Sequence, residues 1–177
     1  MSGTSIHITA LDGIVNVNSL FTLAVFIGLA WNPTDPNNSL VDRPDCSPGP
    51  NVAEDLVAFH VYSFSCFLFS SLVALGLKQA IRVARVAHHE HRALWAFDMA
   101  RVNRTALRVG YVVSAAGSVC GSVFLMLALV DVVQIKLGLL GCGAGGGHGY
   151  GAVVPLLLLV PSGLLIYVSI VFYAFTR

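Results

Sequence analysis

Four stretches of the chain, 11–31, 56–77, 109–130 and 153–175, are apolar throughout and hold no Lys, Arg or Glu in their interiors. A bilayer's hydrocarbon core takes roughly 20 helical residues to cross, so each stretch is long enough to span it. Lipid offers no partner to backbone N–H and C=O groups, and each span must therefore satisfy its own as an α-helix. The runs lack the strict alternation of a barrel strand, which excludes a transmembrane β-barrel. Of the 177 residues 56% are hydrophobic and 11% charged, against about 25% charged in a soluble domain. The expected fold is all-α: a polytopic integral membrane protein, one four-helix domain over 1–177, with no aqueous domain to cut away.

Charge between the spans sets the topology. The first connection, 32–55, carries Asp35, Asp42, Asp45, Glu54 and Asp55 against Arg43 alone. The second, 78–108, carries Lys78, Arg82, Arg85, Arg92, Arg101, Arg104 and Arg108 against Glu90 and Asp98. The positive-inside rule places the second connection and both termini in the cytosol, and the first and third connections outside or in a lumen. No Lys or Arg precedes the first span and Asp12 opens it, so it reads as a retained signal anchor rather than a cleaved leader or a transit peptide.

The connections differ in kind. Pro33, Pro36, Pro44, Pro48 and Pro50 make the acidic one rich in turns. The basic one has neither Gly nor Pro and favours helix, read as cytosolic extensions of spans two and three that meet near 88–91. Eight glycines between Gly138 and Gly151 predict a flexible third connection.

In the first span Asp12, Asn16 and Ser19 fall at i, i+4 and i+7 on one helical face, while Asn18 and Thr22 fall on another. Polar groups at membrane depth face a bundle interior or a water-filled cavity. Two readings follow. In a closed homo-oligomer the stripe lines a pore and its oxygens replace the hydration of a cation. In a single chain the same groups make interhelical hydrogen bonds, with Asp12 at the water interface. The outer loop residues Asp35, Asp42, Asp45, Glu54 and Asp55 would attract cations to a pore mouth, or form an ordinary solvated loop.

Cys46 and Cys142 lie in the two non-cytosolic connections and are candidates for a disulfide that tethers the glycine-rich loop to the acidic one. Cys66 and Cys120 lie within spans and read as small packing residues. Ser114, Gly117, Ser118, Gly121 and Ser122 give the third span a small face for close helix approach. Pro161 and Gly163 predict a kink or hinge in the fourth. Asn37 heads a glycosylation sequon in the acidic loop and Asn103 one in the basic loop, so modification tests the orientation.

His88, His89, Glu90 and His91 supply too few ligands for a closed metal site and read as a solvated turn. His60 reads as a hydrogen-bonded interface residue. Gly149, Tyr150 and Gly151 lack the Thr-Val portion and the pore helix of a potassium filter. No phosphate-binding loop, nucleophile elbow or Ser/His/Asp constellation occurs, so neither catalytic residues nor a metal or other cofactor is expected. The basic connection is pinned at both membrane ends, which suits lipid headgroups rather than nucleic acid.

Three runs carry a family likeness: Asn16-Val17-Asn18-Ser19-Leu20-Phe21-Thr22, Arg43-Pro44-Asp45-Cys46, and Ser70-Ser71-Leu72-Val73-Ala74-Leu75-Gly76-Leu77-Lys78. With them the chain resembles the plant family of small four-span proteins named for maternal effect embryo arrest, over nearly its whole length. Its architecture is also similar to WeiTsing, a pentameric calcium-permeable cation channel of the plant endoplasmic reticulum. The resemblance implies a homo-oligomer with a central pore and a role in calcium signalling or development, in the endoplasmic reticulum or plasma membrane. Claudins pair two cysteines in the first outer loop where this chain has Cys46 alone. Casparian-strip proteins carry an Arg in the first span, which this chain lacks, although Asp131 closes span three. The expected function is a self-associating membrane protein that conducts cations, with a non-conducting four-span scaffold as the alternative and a membrane enzyme using His60 or the 88–91 group as a third.

Overall fold

The computed structural model describes the backbone of residues 2–30, 40–41, 46–89, 104–140 and 147–176, and the side chains of 8–30, 40–41, 46–83, 106–140, 149–170 and 173. The described residues form four α-helices and no strand: α1 (Ser2–Ala30), α2 (Pro50–His89), α3 (Arg104–Leu137) and α4 (Gly147–Thr176). Each holds a segment long and apolar enough to cross a membrane.

Local chemistry fixes the helix ends. Pro50 opens α2, where its missing N–H costs nothing and its fixed φ suits the first turn. Gly138 closes α3 at φ +92°, a conformation that a side chain disfavours, and its N–H donates to the Gln134 carbonyl at 2.9 Å. Lys136 in the last turn sits where the helix dipole favours a cation.

Two boundaries differ from expectation. Span three, read as ending at Val130, continues as helix through Asp131, Gln134 and Lys136 to Leu137. The glycine-rich stretch is not irregular to its end, because Gly147, Gly149 and Gly151 already belong to α4. At the edge of the hydrocarbon, continuing the helix is the available way to satisfy the backbone. Gly149 also lets Leu140 lie against the helix; a Cβ there would come within 3.2 Å of the leucine side chain. The helical extensions expected on the basic side are present as the end of α2 and the start of α3, and Glu90 and His91 lie outside the described residues.

Helix directions follow from which ends meet. Leu11 and Ile14 near the start of α1 cluster with Ala74 late in α2 and Tyr111 early in α3, and Tyr167 late in α4 packs on them. At the other end Leu56, early in α2, clusters with Ala128 and Ile135, late in α3. The bundle therefore runs up-down-up-down, with both termini beside the basic ends of α2 and α3.

Packing is unequal. α2 and α3 share the largest interface, α1 packs mainly on α2, and α4 lies chiefly along α3. In the membrane-spanning window of α3, 39% of the residues are buried within the protein, against 6% in that of α4. The distribution of polarity is the reverse of a soluble protein's. Leu20, Phe26, Leu72, Leu158, Leu159 and Leu165 face outward, while Asn18, Ser63, Ser70, Ser114, Ser118, Ser122, His60 and Asp131 are buried. With lipid as the surrounding solvent, apolar groups need no burial and polar ones do. The chain is an integral, polytopic membrane protein embedded in the bilayer.

Candidate functional site

The buried residues of α1 and α2 recur at spacings of three, four and seven. Leu11, Ile14, Asn18 and Val25 form one row, and Ser63, Phe67, Ser70 and Ala74 the other. This is the spacing of helices that keep one seam facing a partner. Ser114, Ser118 and Ser122, one turn apart on α3, complete it. Small side chains let the three backbones approach, and the hydroxyls then bond across them.

Asn18 is the centre of the seam. Fully buried, it donates from Nδ2 to Ser70 Oγ at 2.8 Å and to Ser71 Oγ at 3.3 Å, and its Oδ1 accepts from Ser118 Oγ at 2.6 Å. One carboxamide thereby joins α1 to both neighbours. Ser70 Oγ donates to the Ser114 carbonyl at 2.6 Å, and Ser114 Oγ returns a bond to the Ser70 carbonyl at 2.9 Å. Further along, Ser63 Oγ donates to the Gly121 carbonyl at 2.8 Å, whereas Ser122 bonds back to Ser118 within α3. The expected small face of α3 is thus turned to α2: a Cβ on Gly117 would meet Ser70 at 3.2 Å, and one on Gly121 the Phe67 ring at 2.8 Å. Phe21 of α1 packs on the same ring, centroids 5.3 Å apart.

The expected stripe of Asp12, Asn16 and Ser19 occupies a different side of α1, and its members differ in surroundings. Asp12 forms an ion pair with Lys78 of α2 at the basic end, with the lysine much the more buried. Ser19 is exposed and bonds back to the Val15 carbonyl at 2.8 Å. Asn16 is exposed, with no hydrogen-bond partner among the described residues. It lies in the membrane-crossing segment Ile8–Ala30, on a face whose other members include Leu20, Leu23 and Ile27.

At the opposite end the segments flanking the first and third connections are stitched together. Leu40 N donates to the Lys136 carbonyl at 3.0 Å and Leu139 N to the Cys46 carbonyl at 3.1 Å. Cys46 is disulfide-bonded, while Cys66 and Cys120 are free; Cys142, its expected partner, lies outside the described residues, as do Asp35, Asn37, Asp42 and Asp45. Glu54 and Asp55 are exposed in the first turns of α2. His60 is buried and donates from Nδ1 to the Leu56 carbonyl at 2.8 Å, with Nε2 directed at Gly28 of α1, where only a glycine leaves room. Among the described residues no three His, Cys, Asp or Glu side chains gather as a metal cage. α4 continues as helix through Pro155 and Pro161, with Gly163 in open space.

The sequence puts Asn18 with Thr22 on a second polar face of α1 without assigning that face a partner, and does not set Ser63, Ser70 and Ser71 apart as a group. The seven-residue spacing of Ser63 and Ser70, in register with the serines of α3, was the available signal.

Fold and seam together define a polytopic four-helix membrane bundle with a polar interior. Compared with protein-family models, curated proteins and solved structures, the chain finds no match. Of the resemblance drawn from sequence, the general four-span architecture is what stands.

Proposed function

We propose that the protein self-associates through the outward face of α1 and that the assembled α1 helices line a cation-permeable path. The observation that carries this is Asn16. A carboxamide without a partner is costly in hydrocarbon, and it carries both donors and an acceptor, so copies of itself can satisfy it. Gathering α1 helices around an axis would remove Asn16 and Ser19 from lipid and place their oxygens on the path of an ion. The acidic outer loop would concentrate cations at one mouth. Calcium as the permeant ion, and a role in plant signalling or development at an endomembrane or the plasma membrane, rest on the resemblance alone.

The second reading, a non-conducting scaffold, is favoured by the Asp12–Lys78 pair. It cancels the negative charge that a cation path would use at the start of α1, beside the basic end of α2. Purified protein reconstituted in planar bilayers separates the two. The channel reading expects cation currents that Asn16→Leu abolishes; self-association without current under any voltage or calcium concentration would leave the scaffold.

A further inference from the structure

Asp131 is a carboxylate inside a membrane-crossing helix, six residues before the end of α3 and so about 9 Å below it at 1.5 Å per residue. It is only 9% exposed. Its Oδ1 faces Gln134 Nε2 at 3.4 Å, a long contact, and its Oδ2 is buried without any hydrogen-bond partner. An ionisable group held in this way is expensive unless something neutralises it. Nothing in the described protein does so fully. The titratable neighbours are the Asp55 carboxylate of α2, which would add like charge, and the His60 ring, whose Nδ1 is committed to the Leu56 carbonyl. Two carboxylates on facing helices and a carboxamide one turn away are hard oxygen donors, and the unpartnered Oδ2 is a free donor among them.

We propose that the outer ends of α2 and α3 form a Ca²⁺-class cation site in which Asp131 is the principal ligand, Asp55 the second, and the Gln134 carboxamide a third once its oxygen turns inward. Calcium accepts irregular oxygen shells completed by water, whereas magnesium demands a near-ideal octahedron, so this open set favours calcium. The site is contained in one chain and is independent of self-association and of conduction. A cation here would clamp α2 to α3 where the interior is least satisfied.

The test is the melting temperature of the purified chain in mild detergent, started in chelator and titrated with CaCl₂ or MgCl₂. At about 100 times Kd, calcium is expected to raise it by roughly 5–10 °C, with magnesium weaker. Asp131→Asn abolishes the rise, and Asp55→Asn moves the titration to at least about tenfold higher calcium, the loss of one charged ligand being worth 1.4 kcal/mol or more. The outer-loop variant Asp42→Asn with Asp45→Asn retains the rise, which separates this site from the acidic loop. If Asp131→Asn fails to fold, Asp55→Asn and Gln134→Leu decide, each expected to weaken the response. An unmoved wild type, one that responds to pH alone, or a response that survives Asp131→Asn overturns the proposal.

Discussion

Asn16 and Asn18 are two residues apart on one helix and live in opposite surroundings. Two residues turn a helix by about 200°, so the pair reports on its two faces. Asn18 has every neighbour it needs: three serine hydroxyls from two other helices close on it, and it is wholly buried. Asn16 faces outward at membrane depth with no partner among the described residues. The same side chain is a completed joint on one face and an unmet requirement on the other. The inner face explains how the chain folds, and the outer face is the one that the proposed self-association would cover.

The largest effect should come from closing the inner seam to its neighbours. Gly121→Leu drives a side chain into the Phe67 ring, where even a Cβ would come within 2.8 Å. A loss of about 3 kcal/mol is expected, read as a fall in unfolding midpoint in detergent. Asn18→Ala comes next. It removes three hydrogen bonds, each worth about 0.6 kcal/mol on average in a membrane protein, so a loss of about 2 kcal/mol is expected. If the variant melts like wild type, the joint is not one. Lys78→Met breaks the pair with Asp12 at a partly exposed site and should cost about 1 kcal/mol or less, with Asp12→Asn in the same background adding little. On the outer face, Asn16→Leu should leave the unfolding of the single chain within about 0.5 kcal/mol of wild type while abolishing self-association. A large loss of monomer stability would erase the contrast with Asn18. Ser19→Ala, whose hydroxyl bonds within its own helix, should be the smallest change in both readouts.

Much of this architecture was legible before any coordinates. Four apolar runs and the sorting of charge into an acidic and a basic connection gave the spans and the alternating directions, because hydrocarbon admits so few backbone solutions. The small face of span three was legible too, since Ser114, Ser118 and Ser122 repeat at a helical turn. The choice between Asn16 and Asn18 was not. Both lie at membrane depth in a nearly uniform apolar helix, and α1 carries too little polarity difference between its faces to say which one is buried. Only the positions of Ser70, Ser71 and Ser118 decide it. Asp131 was hidden for a related reason. As the first charged residue after a long apolar run it read as the end of a span, whereas Val132, Val133 and Ile135 follow it and α3 continues a further six residues to Leu137.

Cross-linking along α1 in native membranes tests the central claim most directly. With Cys66 and Cys120 replaced by Ala, a cysteine at Leu20→Cys lies one turn from Asn16 on the outward face, and one at Ile166→Cys lies on the outward face of α4. The account predicts that oxidation joins copies of the chain through position 20 and leaves position 166 monomeric, and that adding Asn16→Leu removes the cross-link. Copies that join through 166 and not through 20, or a cross-link at 20 indifferent to Asn16, would contradict it.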